Sequence, residues 1–376
     1  MNSCIGRTSI KETVRMKLWA VSGGRCEMCN KLLYEDSAFG VEGNFGEFAH
    51  IHAVSAGGPR HKIGMTAEEK NNIENLMLLC SEHHHMIDTH PEEFKDRYLL
   101  IKKQRHEQRI RAVTEISEAQ SCRIVSYFSN IDNYEEFSSE RLFKEALLLS
   151  GKLPKQQSAI SLNNNTNTRY EPCKEVFVSK AKDLDREFRS WFDEIIKKED
   201  SVGLFALAPQ PLLFKLGTLI NDQYNVSVFQ CHRRPNKWAW IENNDRIEFN
   251  IVQTLNNSDN RVALVIDLSA EIIDERVTSL LGDDTTIYHL TIDAPNRHFV
   301  TNERIQFDFI EKFRFAIESI RNNFGKCDKI HLFMAMPNSL VIKAGMDYMP
   351  KADLPLILYE QYKTKEGFFE AITIGE

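Results

Sequence analysis

The sequence predicts an α/β chain in two parts, a small metal-stapled module followed by a larger region built on mainly parallel sheets. Three observations predict it. Seven of the twelve histidines and three of the eight cysteines fall between Cys26 and His90. From about Glu175 onward, continuous apolar runs alternate with helical stretches, the pattern of strands covered on both faces. Between these regions, Gly151 to Pro172 is rich in Asn, Gln, Ser, Thr and Pro, including Asn163-Asn164-Asn165, a composition that marks a connector. The expected boundaries are 1–120 for the module, 121–174 for the connecting region and 175–376 for the α/β part.

In the first part, residues 11–22 read as a helix with Val14, Leu18 and Val21 on one side, ended by Gly23-Gly24. After His50 comes a Gly57-Gly58-Pro59 turn and a polar loop to about Lys70. Asn75 to Leu79 reads as a short apolar strand, and a helix begins near His83. Lys95 to Arg111 carries Lys95, Arg97, Lys102, Lys103, Arg105, Arg109 and Arg111 against Asp96 and Glu107. Such a helix either lies along a phosphate backbone or is a solvated face. The module ends near Ser117, and Arg141 to Leu149 reads as a helix.

In the second part the expected strands are 202–208, 226–230, 262–268, 287–292, 330–335 and 356–359, and the expected helices 181–198, 211–221, 303–324 and 339–346. A weak internal repeat aligns Phe205 to Gly217 with Phe333 to Gly345, matching Pro209 with Pro337, Leu212 with Leu340, Lys215 with Lys343 and Gly217 with Gly345. Each copy reads helix, strand, proline turn, helix, strand, which suggests two Rossmann-like halves related by a pseudo-twofold axis.

The chemistry of the first part follows from ligand types and spacing. Cys26-x2-Cys29 is a zinc-knuckle spacing, and Cys80-x2-His83 supplies a second pair, so three thiolates and an imidazole form a structural zinc set. His84 then projects about 100° further round the helix. Asp88 is four residues on, on the same face. Together they are candidates to hold a second, catalytic divalent ion, Mg²⁺ or another, near a scissile phosphate. His50, at the end of a strand-like segment, is a candidate base for water, and Asn75 a candidate to fix the His50 loop. A base plus one metal suffices for phosphodiester hydrolysis.

His50-Ile51, Asn75-Leu76, Cys80 and His84, behind Cys26-x2-Cys29, resemble the HNH endonuclease (ββα-metal) motif. The resemblance implies His50 as general base, Asn75 as the middle Asn, His84 as the final metal-binding His, and Cys26, Cys29, Cys80 and His83 as the zinc residues. Ala49 departs from it, because the position before the base is usually Asp, His or Glu and ligates the metal. The metal must then lean on His84 with Asp88 or His52, and His52 reads rather as structural. His61, His85 and His90 read as surface or helix residues. Arg60 reads either as a phosphate contact or as an exposed loop arginine.

No Gly-x-Gly-x-x-Gly fingerprint follows any expected strand, which argues against a conventional dinucleotide cofactor. The turns at Pro209-Gln210 and Pro337-Asn338-Ser339 point two helix N-termini to one side of the sheet, where phosphates are favoured. Arg233, Arg234, Trp238 and Trp240 offer charge and stacking surfaces, with a packed hairpin as the alternative for the tryptophans. Pro209, Gln210, Arg233, Arg234, Trp238, Pro337, Asn338, Ser339 and Lys343 are therefore the candidate ligand residues. Roughly 175–376 resembles the SAVED domain, a fused pair of CARF-like units that binds cyclic oligonucleotides, on the strand into Met336-Pro337-Asn338-Ser339 and on Arg233-Arg234-Pro235-x2-Trp238-x-Trp240. HNH followed by SAVED resembles the effector endonuclease of CBASS antiphage defence. That resemblance implies double-stranded DNA as substrate, a cyclic di- or trinucleotide as activator, and activation through ligand-driven self-association.

Composition bounds these readings. No apolar run reaches the roughly 20 residues that span a bilayer, and Met1 to Lys17 has no signal-peptide core, so a cytoplasmic protein without a membrane partner is expected. Cys4, Cys122, Cys173, Cys231 and Cys327 then read as thiols. The net charge is −7, and after Ser121 the chain carries 31 basic against 37 acidic residues. That balance argues against the alternative of a restriction-type HNH enzyme whose C-terminal half reads DNA. A zinc module that only binds DNA, with Ala49 marking a dead site, is the non-enzymatic alternative.

Overall fold

The computed structural model describes residues 9–375 apart from 37–38, 129–138, 157, 163–172, 194–195, 198, 234–235, 242–243, 256–260, 325–326 and 362–366. The chain divides into two compact units, Met1–Ile116 and Ser117–Glu376. No helix among the described residues is long and apolar enough to cross a membrane.

The first unit runs α1 (Glu12–Val21), β1 (Gly46–His50), α2 (Ala67–Lys70), β2 (Leu76–Cys80), α3 (Ser81–Thr89) and α4 (Asp96–Thr114). Gly23 and Gly24 both adopt positive φ, +62° and +67°, where only glycine is unstrained, so the chain turns sharply out of α1 into the first cysteine pair. β1 and β2 pair antiparallel with Gly46 opposite Cys80 and His50 opposite Leu76. All five residues of β2 are buried, and its Leu76 to Leu79 run packs with Leu18, Ile51, Ile87 and Leu99.

The second unit begins with β3 (Ser121–Phe128), α5 (Glu140–Leu149), β4 (Leu153–Pro154), β5 (Ile160–Ser161), α6 (Lys174–Glu187) and a π-helical turn (Phe188–Asp193). It continues through β6 (Ser201–Leu207), α7 (Gln210–Ile220), β7 (Asn225–Phe229), β8 (His232–Arg233), β9 (Asn236–Lys237), β10 (Asn250–Leu255), β11 (Val262–Asp267), α8 (Asp274–Leu281) and β12 (Thr286–Thr291). It ends with α9 (Glu303–Asn323), β13 (Ile330–Ala335), α10 (Asn338–Asp347), β14 (Leu356–Gln361) and β15 (Phe368–Ile374). One sheet has the order β4-β3-β6-β7, all parallel. The other has the order β10-β12-β11-β13-β14-β15, with a parallel centre and antiparallel edges at β10 and β15.

Several expectations need correction. The segment 121–174 is not a connector, because β3 pairs with β6 along seven residues and α5 buries Phe143, Ala146 and Leu147. The Asn-rich stretch 163–172 lies outside the described residues. The helix expected at 181–198 starts earlier, at Lys174, and gives way to the π turn at Phe188. α8 and the strands β3, β10 and β15 lie outside the expected elements, whereas β1 is the strand-like segment expected to end at His50. β10 carries an intermediate-to-exposed pattern without the continuous apolar run of a central strand.

The internal repeat has a physical counterpart. α6-β6-α7-β7 and α9-β13-α10-β14 follow one order, and in each the two strands are parallel neighbours. Pro209 and Pro337 each precede a helix as its N-cap, and α7 is apolar nearly all round, as a helix buried on several sides must be. α7 and α10 cross at the two matched glycines. An added Cβ on Gly217 would overlap the Ile342 carbonyl oxygen, and one on Gly345 that of Phe214. Backbone thus meets backbone, a distance that only glycine permits. α9 is capped by the Asn302 side chain, which accepts from the Ile305 N–H at 3.2 Å, and it buries Ile305, Phe309, Phe313, Ile317 and Ile320 on one stripe.

Candidate functional site

In the first unit the four cysteine and histidine candidates come together. One donor atom from each of Cys26, Cys29, Cys80 and His83 lies within 4.8 Å of the others, and this is the group of three or more metal-type ligands found among the described residues. The knuckle is shaped by backbone: Asn30, at φ +65°, donates its N–H to the Cys26 carbonyl at 2.8 Å, and Cys26 donates to the Lys31 carbonyl at 2.9 Å. Cys80 ends β2 and His83 lies in the first turn of α3, with Cys80 Sγ and His83 Nδ1 3.1 Å apart. Burial first, then the neighbouring thiols, pushes Cys80 up to about 12 and raises Cys29 too. A divalent cation reverses that tendency by favouring the thiolates. The spacing and donor types fit a tetrahedral zinc ion.

Glu27, inside the knuckle, was not anticipated. It is buried, accepts from Ser22 Oγ at 2.6 Å, faces Lys103 at 3.9 Å, and burial pushes its carboxyl up to about 7. Lys103 pairs with both Glu27 and Glu107. The basic helix α4 is therefore two-sided: Lys103 and His106 are buried, while Lys95, Arg97, Arg105, Arg109 and Arg111 are exposed.

His50 closes β1, and its Nε2 lies 3.1 Å from Asn71 Oδ1. Asn75 is buried and fixes the loop after His50 from both sides. Its Oδ1 accepts from the His52 N–H at 2.8 Å, and its Nδ2 donates to the carbonyls of His52 at 3.0 Å and Lys70 at 2.9 Å. His84 lies elsewhere in the network. Its Nδ1 is 2.5 Å from Glu47 Oε2, and its Nε2 is 3.5 Å from Asp88 Oδ2. Glu47 was not among the expected site residues. It precedes Ala49 by two on β1 and so shares its face. Arg60 is neither a phosphate contact nor an exposed loop residue. Its side chain is buried and donates to the carbonyls of Ile51 at 2.8 Å and Ile87 at 2.5 Å, and to Asp88 Oδ1 at 3.3 Å. His52 Nδ1 contacts the Arg60 carbonyl at 3.0 Å, a structural role.

In the second unit a cavity of about 390 Å³ opens at the carboxyl ends of β6, β7, β11 and β13. Gln210 and Asn338, the first residues of α7 and α10, both line it, with Arg233, Arg297 and His298 as its basic side chains and Glu360 as its carboxylate. Ser339 lies behind the wall. Its Oγ donates to Gln230 Oε1 at 2.7 Å, and its N–H lies 3.2 Å from that oxygen, which orients the Gln230 amide at the cavity. Pro337 lines the cavity, but Pro209, Trp238 and Lys343 do not. Trp238 is fully buried against Phe143, Phe205 and Phe128, so it is a core residue rather than a stacking surface. Trp240 stacks on Phe229 with ring centroids 6.0 Å apart. Lys343 is on the sixth residue of α10, beyond the turn that faces the cavity, and burial lowers its ammonium. Arg234 lies outside the described residues. Arg297 and His298 were missed because they follow β12 in an irregular stretch with no motif.

A cavity at the strand ends of two parallel-centred sheets, entered by two helix N-termini, is where open α/β domains bind ligands. The chain belongs to the SAVED family, the SMODS-associated and fused to various effectors sensor domain, which matches residues 184–374. Among solved structures the chain is similar to the Acinetobacter baumannii Cap4 SAVED/CARF-domain containing receptor with the cyclic trinucleotide 3′3′3′-cAAA, at 12% identity and a TM-score of 0.44, covering 78% of this chain and 60% of that one. It is similar to the same receptor with 2′3′3′-cAAA at 13% identity and a TM-score of 0.44, covering 81% and 64%. It is also similar to the Moraxella osloensis Cap4 receptor at 12% identity and a TM-score of 0.39, covering 83% and 61%. The chain thus spans less than two thirds of the length of each of these receptors. No curated protein matches it.

Proposed function

We propose that this chain is a metal-dependent DNA endonuclease of the HNH type, switched on by a cyclic oligonucleotide in antiphage defence of the CBASS kind. The observation that supports it most is the fusion of a SAVED domain to a separate β–β–α unit. In that unit His50, Asn75 and His84 occupy the strand end, the loop and the helix that hydrolysis needs.

Asn71 Oδ1 holds the His50 Nε2–H, which leaves Nδ1 to take a proton from water. Asn75 keeps the loop after His50 from shifting that base. Glu47 accepts from Nδ1 of His84, so Nε2 faces Asp88, a carboxylate-fixed histidine of the kind that presents one nitrogen to an ion. His84 and Asp88 would hold the catalytic ion, Mg²⁺ or another divalent, with Glu47 fixing His84 from its Nδ1 side. When bound, that ion supplies positive charge for the phosphorane and the leaving oxygen. Cys26, Cys29, Cys80 and His83 would hold structural zinc. Arg233, Arg297 and His298 suit the phosphates of a cyclic di- or trinucleotide. Self-association on ligand binding would bring two nuclease units to one double-stranded DNA.

The test is plasmid cleavage with Mg²⁺ against a panel of cyclic di- and trinucleotides, including both cyclic triadenylates. Cutting only with a nucleotide present, lost in His50→Ala but with nucleotide binding retained, is the expected result. Cutting that ignores every nucleotide would favour a restriction-type enzyme. No cutting under any condition would remove the nuclease reading.

A further inference from the structure

His289 on β12 is buried on the sheet face that α8 covers, the face shared by Ile287 and Val277. Its Nδ1 lies 3.2 Å from Asp267 Oδ2 and its Nε2 2.8 Å from Asp274 Oδ1. Asp267 is the last residue of β11 and Asp274 the first of α8. The loop between them, 268–273, places Ser269 and Ala270 in the wall of the cavity. One imidazole therefore ties both ends of a cavity-forming loop to the sheet. The loop is also held by its buried Leu268 and Ile272 side chains and by backbone bonds: the N–H groups of Leu268 and Ser269 donate to the Ala335 carbonyl at 3.0 and 2.7 Å, and the Leu268 carbonyl accepts from the Asn296 N–H at 2.9 Å.

We propose that His289 is a positioning residue for the ligand cavity: doubly protonated and bonded to Asp267 and Asp274, it sets the shape of the 268–273 wall, and loss of one ring proton loosens that wall and weakens ligand binding. The inference rests on the reading of this cavity as the nucleotide site. Donation to two carboxylates requires hydrogen on both ring nitrogens, which only the imidazolium has. Asp267 Oδ1 has no hydrogen-bond partner among the described residues, so the imidazolium is the charge that faces this buried carboxylate. The charged groups facing His289 are Asp267 from β11 and Asp274 from α8. β10 presents Val252 opposite it, and Arg276 of α8 is turned onto the Phe368 ring. Burial disfavours the charged ring, but the two carboxylates outweigh it and raise His289 above the ordinary imidazole value. The clamp is therefore complete below that ordinary value, about 6.5, and is lost as pH rises through the raised one.

Calorimetric titration of the full-length protein with cyclic triadenylate and the rest of the panel, from about pH 6.5 to about pH 9, tests this. The wild type should bind several-fold more weakly at the alkaline end. His289→Gln, which donates through one nitrogen only, should bind roughly tenfold more weakly at the acid end and show no pH dependence. Asp274→Asn should flatten the profile differently, binding at the alkaline end as it does at the acid end, because an amide accepts from the charged ring and donates to the neutral one. That profile decides the matter if His289→Gln does not fold. His298 is the imidazole in the cavity itself, so a pH dependence that persists in His289→Gln and Asp274→Asn but vanishes in His298→Gln would overturn the proposal. Wild-type affinity and profile in both clamp variants would overturn it too. A wild type that binds no member of the panel would remove the cavity reading and this inference with it.

Discussion

In the N-terminal unit, two of the four metal-type ligands, Cys26 and Cys80, are themselves part of the buried cluster around β2. In the C-terminal unit a larger buried cluster draws on one face of β6, β11 and β13 and on the helices laid over them. The contrast teaches where each site gets its rigidity. The first unit holds His50 and His84 with a few directional contacts: Asn71, Asn75, Glu47 and the buried Arg60. The second unit holds its cavity with the packed helices α7 and α10 and with the His289 contacts at both ends of the 268–273 wall.

The comparison is broken most directly by removing a thiol. Cys26→Ser, or chelation, should unfold the first unit alone, since zinc coordination in small modules is worth on the order of 10 kcal/mol. Hydrogen exchange would show β1, β2 and α3 losing protection while β11 and β13 keep it. Retained protection in the first unit would mean that its apolar cluster suffices.

A smaller effect is expected at the proposed base. His50→Ala should lower nucleotide-stimulated cleavage by about a thousandfold with unchanged exchange protection, because the ring's side-chain hydrogen bond among the described residues is to Asn71, outside the buried cluster. A loss below tenfold would assign the base elsewhere.

Gly217→Ala tests the second unit in the same sense. The overlap with the Ile342 carbonyl should cost about 3 kcal/mol, read as a lower denaturant midpoint of the C-terminal unit with the first unit unchanged. The smallest effect is electrostatic. Burial alone would raise Asp200, but hydrogen bonds from Lys155 and Arg123 outweigh it and hold its carboxyl down to about 2. This group therefore stabilises the fold above the ordinary aspartate value, about 4, and the contribution, about 2 kcal/mol, is lost as pH falls toward that lower value. Asp200→Asn should flatten the acid dependence of C-terminal unfolding over that interval, and an unchanged dependence would place the acid lability in other carboxylates.

The metal-type ligands were legible in the sequence because soft donors at fixed spacing leave few alternatives. Asn75 was legible for a similar reason, since the loop after His50 needs an amide that both donates and accepts. The Glu47 contact was not, because a carboxylate on a half-exposed strand face carries no spacing signature by itself. The central parallel strands were readable from unbroken apolar runs, whereas β10 and β15 at the sheet edge and β3 before the Asn-rich stretch were not. Trp238 misled because an aromatic beside arginines suits a stacking surface and a core equally, and only tertiary packing decides. The cavity's own residues come from the segments after β6, β7, β11, β12 and β13 and from β14 itself, so no local pattern unites Gln230, Arg297 and Glu360.

The crossing of α7 and α10 at Gly217 and Gly345 has a geometric consequence for selectivity. With main chain against main chain there, the two helices have no side-chain cushion to compress, and the separation of their first residues, Gln210 and Asn338, is set like the jaws of a fixed calliper. On the proposed function, a ligand touching both Gln210 and Asn338 would meet a spacing that a larger residue at either glycine would change.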